Sequence, residues 1–157
     1  MKEKDTGVPR VHILVVDDHE PFRRFVSETL REQPNLQIIA EAQDGIEAVR
    51  RAEALQPDLI LLDIGLPGLN GIECARRIGE LAPTSRIIFL TQETSADVVH
   101  AALNLGAQGY VNKLQAGAEL LVAVEAVMQG RRFVSSGLNG HAELNPANPV
   151  SPKARSN

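Results

Sequence analysis

Three kinds of side chain in this sequence could together handle a phosphoryl group. The adjacent carboxylates Asp17-Asp18 follow one short apolar run, Asp63 follows a second, Thr91 a third, and Lys113 comes just after a fourth. A carboxylate is a competent nucleophile toward phosphorus and gives an aspartyl phosphate. Three carboxylates brought close repel one another, so a proton or a shared cation must relieve them. Mg²⁺ suits such a site, because it takes oxygen ligands, keeps several waters and bridges one or two carboxylates to a phosphate. A lysine pairs with the anion, and a threonine hydroxyl donates to one of its oxygens. Chemistry of this kind runs on positioning and electrostatics.

Taken singly, each residue has a plainer role. Asp17-Asp18 would cap a helix, Asp63 would open a turn, Thr91 would be a β-branched strand residue and Lys113 a solvated charge. Gly68 and Gly71 would mark only a tight loop. The chemical reading gains its weight from their common placement at the ends of strands in one repeating series.

That series is legible in the apolar pattern. Val11–Val16 is a buried strand ended by Asp17-Asp18. A helix follows, with Pro21 at its start, Phe22, Val26 and Leu30 at helical spacing, and its end near Pro34-Asn35. The same alternation predicts a strand over 37–42 and a helix over 44–55, which Asp44 could cap. It continues with a strand over 58–62, a helix over 72–81 stopped by Pro83, and a strand over 86–90. A helix over 95–105, a strand over 108–111 and a helix over 117–129 complete it. Between Asp63 and the third helix lies a Gly/Pro-rich loop, Gly65 to Gly71. Five strands alternating with five helices argue for an α/β protein with a parallel sheet covered on both faces. In such sheets ligands bind beyond the C-terminal ends of the strands, where the polar residues stand.

Composition narrows the class. Hydrophobic residues make up 43% of the 157, enough for one core, and aromatics only 3%, so aliphatic side chains must fill it. The net charge of -4 lacks the basic excess of a nucleic-acid-binding domain. Cys74 is the sole cysteine, which excludes an internal disulfide, and its helical position favours packing over nucleophilic chemistry. The opening Met1-Lys2-Glu3-Lys4-Asp5 is too polar for a secretory leader, and no apolar run approaches the roughly 20 residues of a membrane helix. The expectation is a cytoplasmic protein without membrane or nucleic-acid partners. Residues 1–10 read as a flexible arm. Residues 135–157 read as a disordered tail, too short and polar for a DNA-binding domain, and suggest a chain that stands alone.

From about residue 10 to 134 the sequence resembles the response-regulator receiver family of two-component systems. The resemblance rests on Ile13-Leu14-Val15-Val16-Asp17-Asp18-His19, on Leu61-Leu62-Asp63-Ile64-Gly65-Leu66-Pro67-Gly68-Leu69-Asn70-Gly71, on Phe89-Leu90-Thr91, and on Gly106 to Lys113. The spacing from Asp63 to Thr91 to Lys113, and the segment Gly130 to Ser135, look like the NarL/FixJ-type subfamily. The resemblance implies a flavodoxin-like (βα)5 fold, five parallel strands in the order 2-1-3-4-5. It implies a receiver domain over 11–134, with Asp63 the phosphoacceptor and Thr91 and Lys113 contacting the phosphoryl group. Asp17, Asp18, Asp63 and the backbone carbonyl of Gly65 would hold Mg²⁺ or Mn²⁺. Tyr110 would be the switch aromatic, its ring turning inward as Thr91 is drawn to the phosphate. The donor would be a histidine kinase or phosphotransfer protein and the output a downstream protein target. A homodimer is compatible with the sequence. Such a module is not an enzyme in the usual sense, since it assists only its own phosphorylation and dephosphorylation.

Two positions depart from the family pattern: Gln92 after Thr91, where a small residue is usual, and Leu114 after Lys113, where Pro or Asp is frequent. Gln92 would crowd the pocket or alter its water access, and it lends weak support to a pseudo-receiver that binds a partner constitutively. The intact acidic set with Thr91 and Lys113 argues the other way. A nucleotide- or flavin-binding protein would need a Gly-rich loop after the first strand, and Asp17-Asp18-His19-Glu20-Pro21 stands there instead.

Overall fold

Leu59-Ile60-Leu61-Leu62 has no polar face, so it can form a strand only where both sides are covered. The computed structural model, which describes residues 10–92 and 95–135, puts it at the centre of a six-stranded parallel sheet. In chain order the elements are β1 (Val11–Val16), α1 (Glu20–Arg31), β2 (Leu36–Ala42), α2 (Gly45–Leu55), β3 (Leu59–Leu62) and α3 (Gly71–Leu81). There follow β4 (Arg86–Thr91), α4 (Ala96–Asn104), β5 (Gly109–Asn112), a 3₁₀ turn (Lys113–Gln115), α5 (Ala116–Met128) and β6 (Phe133–Val134). The sheet order is β2-β1-β3-β4-β5-β6. The order expected for the first five strands is observed, and one correction is needed: there are six strands rather than five. Phe133 and Val134 pair in parallel with Gly109 and Tyr110. Two residues are too few to show a period in sequence; only the bonds Phe133 N to Gln108 O and Ser135 N to Tyr110 O define the strand.

Alternation along the strands builds two cores. Ile13, Val15, Leu59, Leu61, Ile88, Leu90 and Val111 pack against α1 and α5 through Val26, Leu30, Leu120, Val124 and Val127. Leu14, Val16, Ile60, Leu62, Phe89 and Tyr110 face the other way, against Ala48, Ala52, Cys74, Ile78, Val99 and Leu103 of α2, α3 and α4. Cys74 is fully buried there, and burial pushes its thiol up to about 12, which fits the packing role.

Local chemistry sets the helix starts. Asp44 accepts from the Glu47 amide at 2.8 Å, Asn70 from the Glu73 amide at 3.0 Å and Ser95 from the Val98 amide at 3.3 Å. Pro21 lies in the first turn of α1, where its missing N–H is not needed. Among the described residues no helix is long and apolar enough to cross a membrane. The expected arm and tail, apart from Arg10 and Ser135, lie outside the described residues. Ser135 itself is buried, its hydroxyl 2.8 Å from Gln115 Oε1 and in contact with Glu119, so it packs with the domain rather than with a tail.

Candidate functional site

Parallel register brings the strand ends together. Val16 pairs with Leu62, Leu62 with Phe89, and Thr91 with Asn112. The residues that follow Val16 and Leu62 are Asp17 and Asp63, and the Asp63 amide donates to Val16 O at 3.0 Å. Asp17, Asp63 and Thr91 are all buried, whereas Asp18 is exposed. One carboxylate oxygen from each of Asp17, Asp18 and Asp63 lies within 4.8 Å of the others. A cleft of about 670 Å³ opens above them, lined by Asp18, Asp63, Gly65, Thr91, Gln92 and Lys113, with Phe22 and Leu114 on its apolar side.

Lys113 is the cation of this rim. Its ammonium stands 2.6 Å from Asp17 Oδ2 and 3.3 Å from Asp63 Oδ2. It also lies 4.7 Å from the centre of the Phe22 ring, within cation–π range. The contact to Asp63 is a hydrogen bond. The contact to the buried Asp17 Oδ2 is a close ion pair. Burial raises the Asp17 pKa above the usual carboxylate range; the bond to Lys113 and the His19 amide oppose that rise, and the neighbouring Asp63 charge adds to it.

The other carboxylate oxygens are held by backbone. Asp17 Oδ1 accepts from the His19 amide at 2.8 Å, and Asp63 Oδ1 from the Gly65 amide at 3.1 Å. Gly71 explains part of the loop motif after Asp63. A Cβ on it would lie 2.3 Å from the Asp63 carbonyl oxygen, so only glycine lets α3 start against that backbone. The Gly71 amide donates to Ile64 O at 2.8 Å. Gly68 takes a positive φ of 76° in the same loop.

A divalent cation fits this donor set. The oxygens are hard, two of the three acids are anchored by backbone amides, and one oxygen of each acid comes within 4.8 Å of the others, with the Lys113 ammonium beside the buried Asp17 Oδ2. The chain thus brings Asp17, Asp18, Asp63, Gly65, Thr91 and Lys113 to one rim. Tyr110 is set apart from them. It is fully buried, with its ring 6.2 Å from that of Phe89 and tilted by 51°.

Sequence reasoning passed over three contributors. Arg23 donates to the Asp17 carbonyl oxygen at 2.7 Å and to Glu41 Oε1 at 2.9 Å. The signal was available: Arg23 shares the buried stripe of α1 with Val26 and Leu30, where a charge needs a reason. Phe22, taken only as a helix-face apolar residue, also supports Lys113. Asn112 accepts from the Leu114 amide at 2.9 Å and so starts the turn that carries Lys113.

Comparison with known proteins places the chain in a family. Residues 13–125 match the family described as response regulator receiver domain. The transcriptional regulatory protein LiaR of Bacillus subtilis (strain 168) is 35% identical over 130 residues, covering 83% of this chain and 62% of that protein. The nitrate/nitrite response regulator NarL of Escherichia coli (strain K12) is 34% identical over 126 residues, covering 80% and 58%. A two-component response regulator of the LuxR family from Aurantimonas sp. SI85-9A1 superimposes with a TM-score of 0.80 at 35% identity, over 85% of this chain and 96% of that one. The signal receiver domain of a putative NarL from Mycobacterium tuberculosis gives a TM-score of 0.74 at 30% identity, over 78% and 99%. This chain spans less than two thirds of the length of LiaR and NarL.

Proposed function

The chain belongs to the response regulator receiver domain family of bacterial two-component systems, and from that premise we propose that Asp63 accepts a phosphoryl group and thereby switches a protein-binding surface. The observation that carries this reading is the shared Lys113 ammonium, within 3.3 Å of both buried acids at the strand ends. An Asp63 carboxylate oxygen attacks phosphorus. A P–O bond forms and the bond to the leaving group breaks, its electron pair staying with the imidazole of a phosphohistidine or the carboxylate of an acyl phosphate. The new group brings about -1.5 to -2 of charge. Lys113 faces that charge, and Thr91 offers its hydroxyl to a phosphoryl oxygen. Asp17, Asp18, Asp63 and the Gly65 carbonyl would hold Mg²⁺ or Mn²⁺, which when bound neutralises charge on the transferring group.

The donor is a histidine kinase or phosphotransfer protein, and the reader is a protein target. The chain has no further substrate of its own and assists only the gain and loss of this phosphoryl group. Thr91 couples the acceptor to Tyr110, whose buried ring is one end of the movement; the other end would bring it toward solvent at the face of α4, β5 and α5. A pseudo-receiver would not need the complete acidic set, Thr91 and Lys113 to converge.

Acetyl phosphate with Mg²⁺ should label the protein once, and EDTA or Asp63→Asn should abolish the label. Thr91→Ala should keep the label and lose the accompanying change in Tyr110 fluorescence or NMR shift. Equal labelling of Asp63→Asn would place the acceptor elsewhere.

A further inference from the structure

Asp18 is the exposed member of the acidic set, and among the described residues no hydrogen bond restrains its carboxylate. Its direction therefore depends on the backbone from which it projects. That backbone is pinned at three points. The Asp17 amide donates to Ala42 O of β2 at 3.0 Å, and the His19 amide returns to Asp17 Oδ1 at 2.8 Å. The third pin is Arg23, whose guanidinium donates to the Asp17 carbonyl oxygen at 2.7 Å. That oxygen belongs to the peptide joining Asp17 to Asp18, so the bond fixes the plane on which both acids are set.

Arg23 is placed for this by packing. Its side chain is only 10% exposed, and a buried guanidinium must be paired. Glu41 of β2 meets that need at 2.9 Å through Nε, and Ser27 of α1 lies 3.4 Å from the other Glu41 oxygen. Glu41 also sits opposite Val15 in the strand register, so the fork of Arg23 ties α1, β2 and the end of β1 together.

We propose that Arg23 is a positioning residue for the Asp17-Asp18 pair, acting through the Asp17 carbonyl to hold both carboxylates in cation-binding geometry. This rests on the reading of that pair as a divalent-cation site. The sign of its effect separates the proposal from the alternatives. As a bare positive charge near a cation site, Arg23 would repel the metal, and its removal would tighten binding. As a purely structural ion pair, its removal would lower stability and leave affinity alone. A positioning residue weakens binding when removed, against the Coulomb trend.

The test uses the full chain with Mn²⁺ followed by electron paramagnetic resonance and Mg²⁺ by calorimetry, with thermal unfolding recorded in EDTA. Arg23→Met should weaken both metals by about 10-fold or more, the loss typical when a partner of a metal ligand is removed. Arg23→Lys, which can still reach one acceptor, should recover part of the loss. Glu41→Gln, which leaves the bond to Asp17 in place, should lose least. In the metal-free protein, Arg23→Met should also speed hydrogen exchange at the His19 amide. Should Arg23→Met fail to fold, the order wild type, Glu41→Gln, Arg23→Lys in falling affinity carries the same claim. Equal or tighter metal binding by a folded Arg23→Met or Arg23→Lys protein overturns it. If Asp18→Asn weakens the metal and the Arg23 variants do not, this inference alone falls. If Asp18→Asn has no effect either, the reading of the cation site falls with it.

Discussion

Asp17 is the residue at which stability and chemistry pull apart. It is 2% exposed, and burial lifts its pKa despite Lys113 at 2.6 Å. An acid whose folded pKa lies above its unfolded value of 3.8 adds stability only below that value, and the contribution is lost as pH rises through the folded pKa. At neutral pH, above its unfolded value, Asp17 therefore works against the fold. Asp17→Asn should raise the melting temperature of the metal-free protein at pH 7, and the gain should vanish below about pH 3.8; melts in EDTA across that range check it. A lower melting temperature at pH 7 would show that the ion pair outweighs the burial. Asp17, Asp18, Asp63, Thr91 and Lys113 were legible because each ends an apolar run. Arg23 and Phe22 were not, because their partners Asp17 and Lys113 are named by contact across elements rather than by spacing along α1.

Helix α3 is set by two devices that can be tested apart. The first is steric. With no Cβ, Gly71 allows α3 to begin against the Asp63 backbone, where an added Cβ would sit 2.3 Å from a carbonyl oxygen. Gly71→Ala should cost about 1–3 kcal/mol in urea unfolding. It should also slow labelling more than stability accounts for, since the displaced backbone carries Asp63, the acceptor proposed above. The second is electrostatic. Glu73, capped at its amide by Asn70, pairs with Arg76 and Arg77 one turn on, and the Arg76 bond chiefly holds its carboxyl down to about 2. A depressed pKa gives stability that is complete above the unfolded value of 4.5 and is lost as pH falls toward about 2. Glu73→Gln should flatten the acid side of the stability curve in that window and lower stability at pH 7 by the same amount, a small one because the pair is exposed. The strands β1, β3 and β4 could be read as apolar runs and the helices from their caps. The turn at Lys113–Gln115 and strand β6 could not, since three and two residues carry no period and are defined by Asn112 and by bonds to β5.

At the scale of the molecule, one sheet serves two cores, so neither core can melt alone. Leu120 of α5 and Ile78 of α3 are fully buried on opposite faces. Truncating either to alanine should cost about 2–5 kcal/mol. Since no apolar cluster contains both, the double variant should lose the sum within roughly 0.5 kcal/mol. Circular dichroism and Tyr110 fluorescence should report one coincident urea transition for each variant; separated transitions would mean that the faces unfold independently. The last strand has a consequence of another kind. Because β6 runs parallel to its neighbours, Ser135 emerges at the C-terminal end of the sheet, the same end as Asp63, with its hydroxyl on Gln115 just beyond Lys113. An antiparallel β6 would have delivered the chain to the far side. The chain beyond Ser135 is thus joined to the domain at the end of the sheet that carries Asp63 rather than at the opposite end, and a group tethered at such a point meets its neighbours as an intramolecular partner rather than at bulk concentration. A contact far too weak to form between separate molecules forms readily under such a tether.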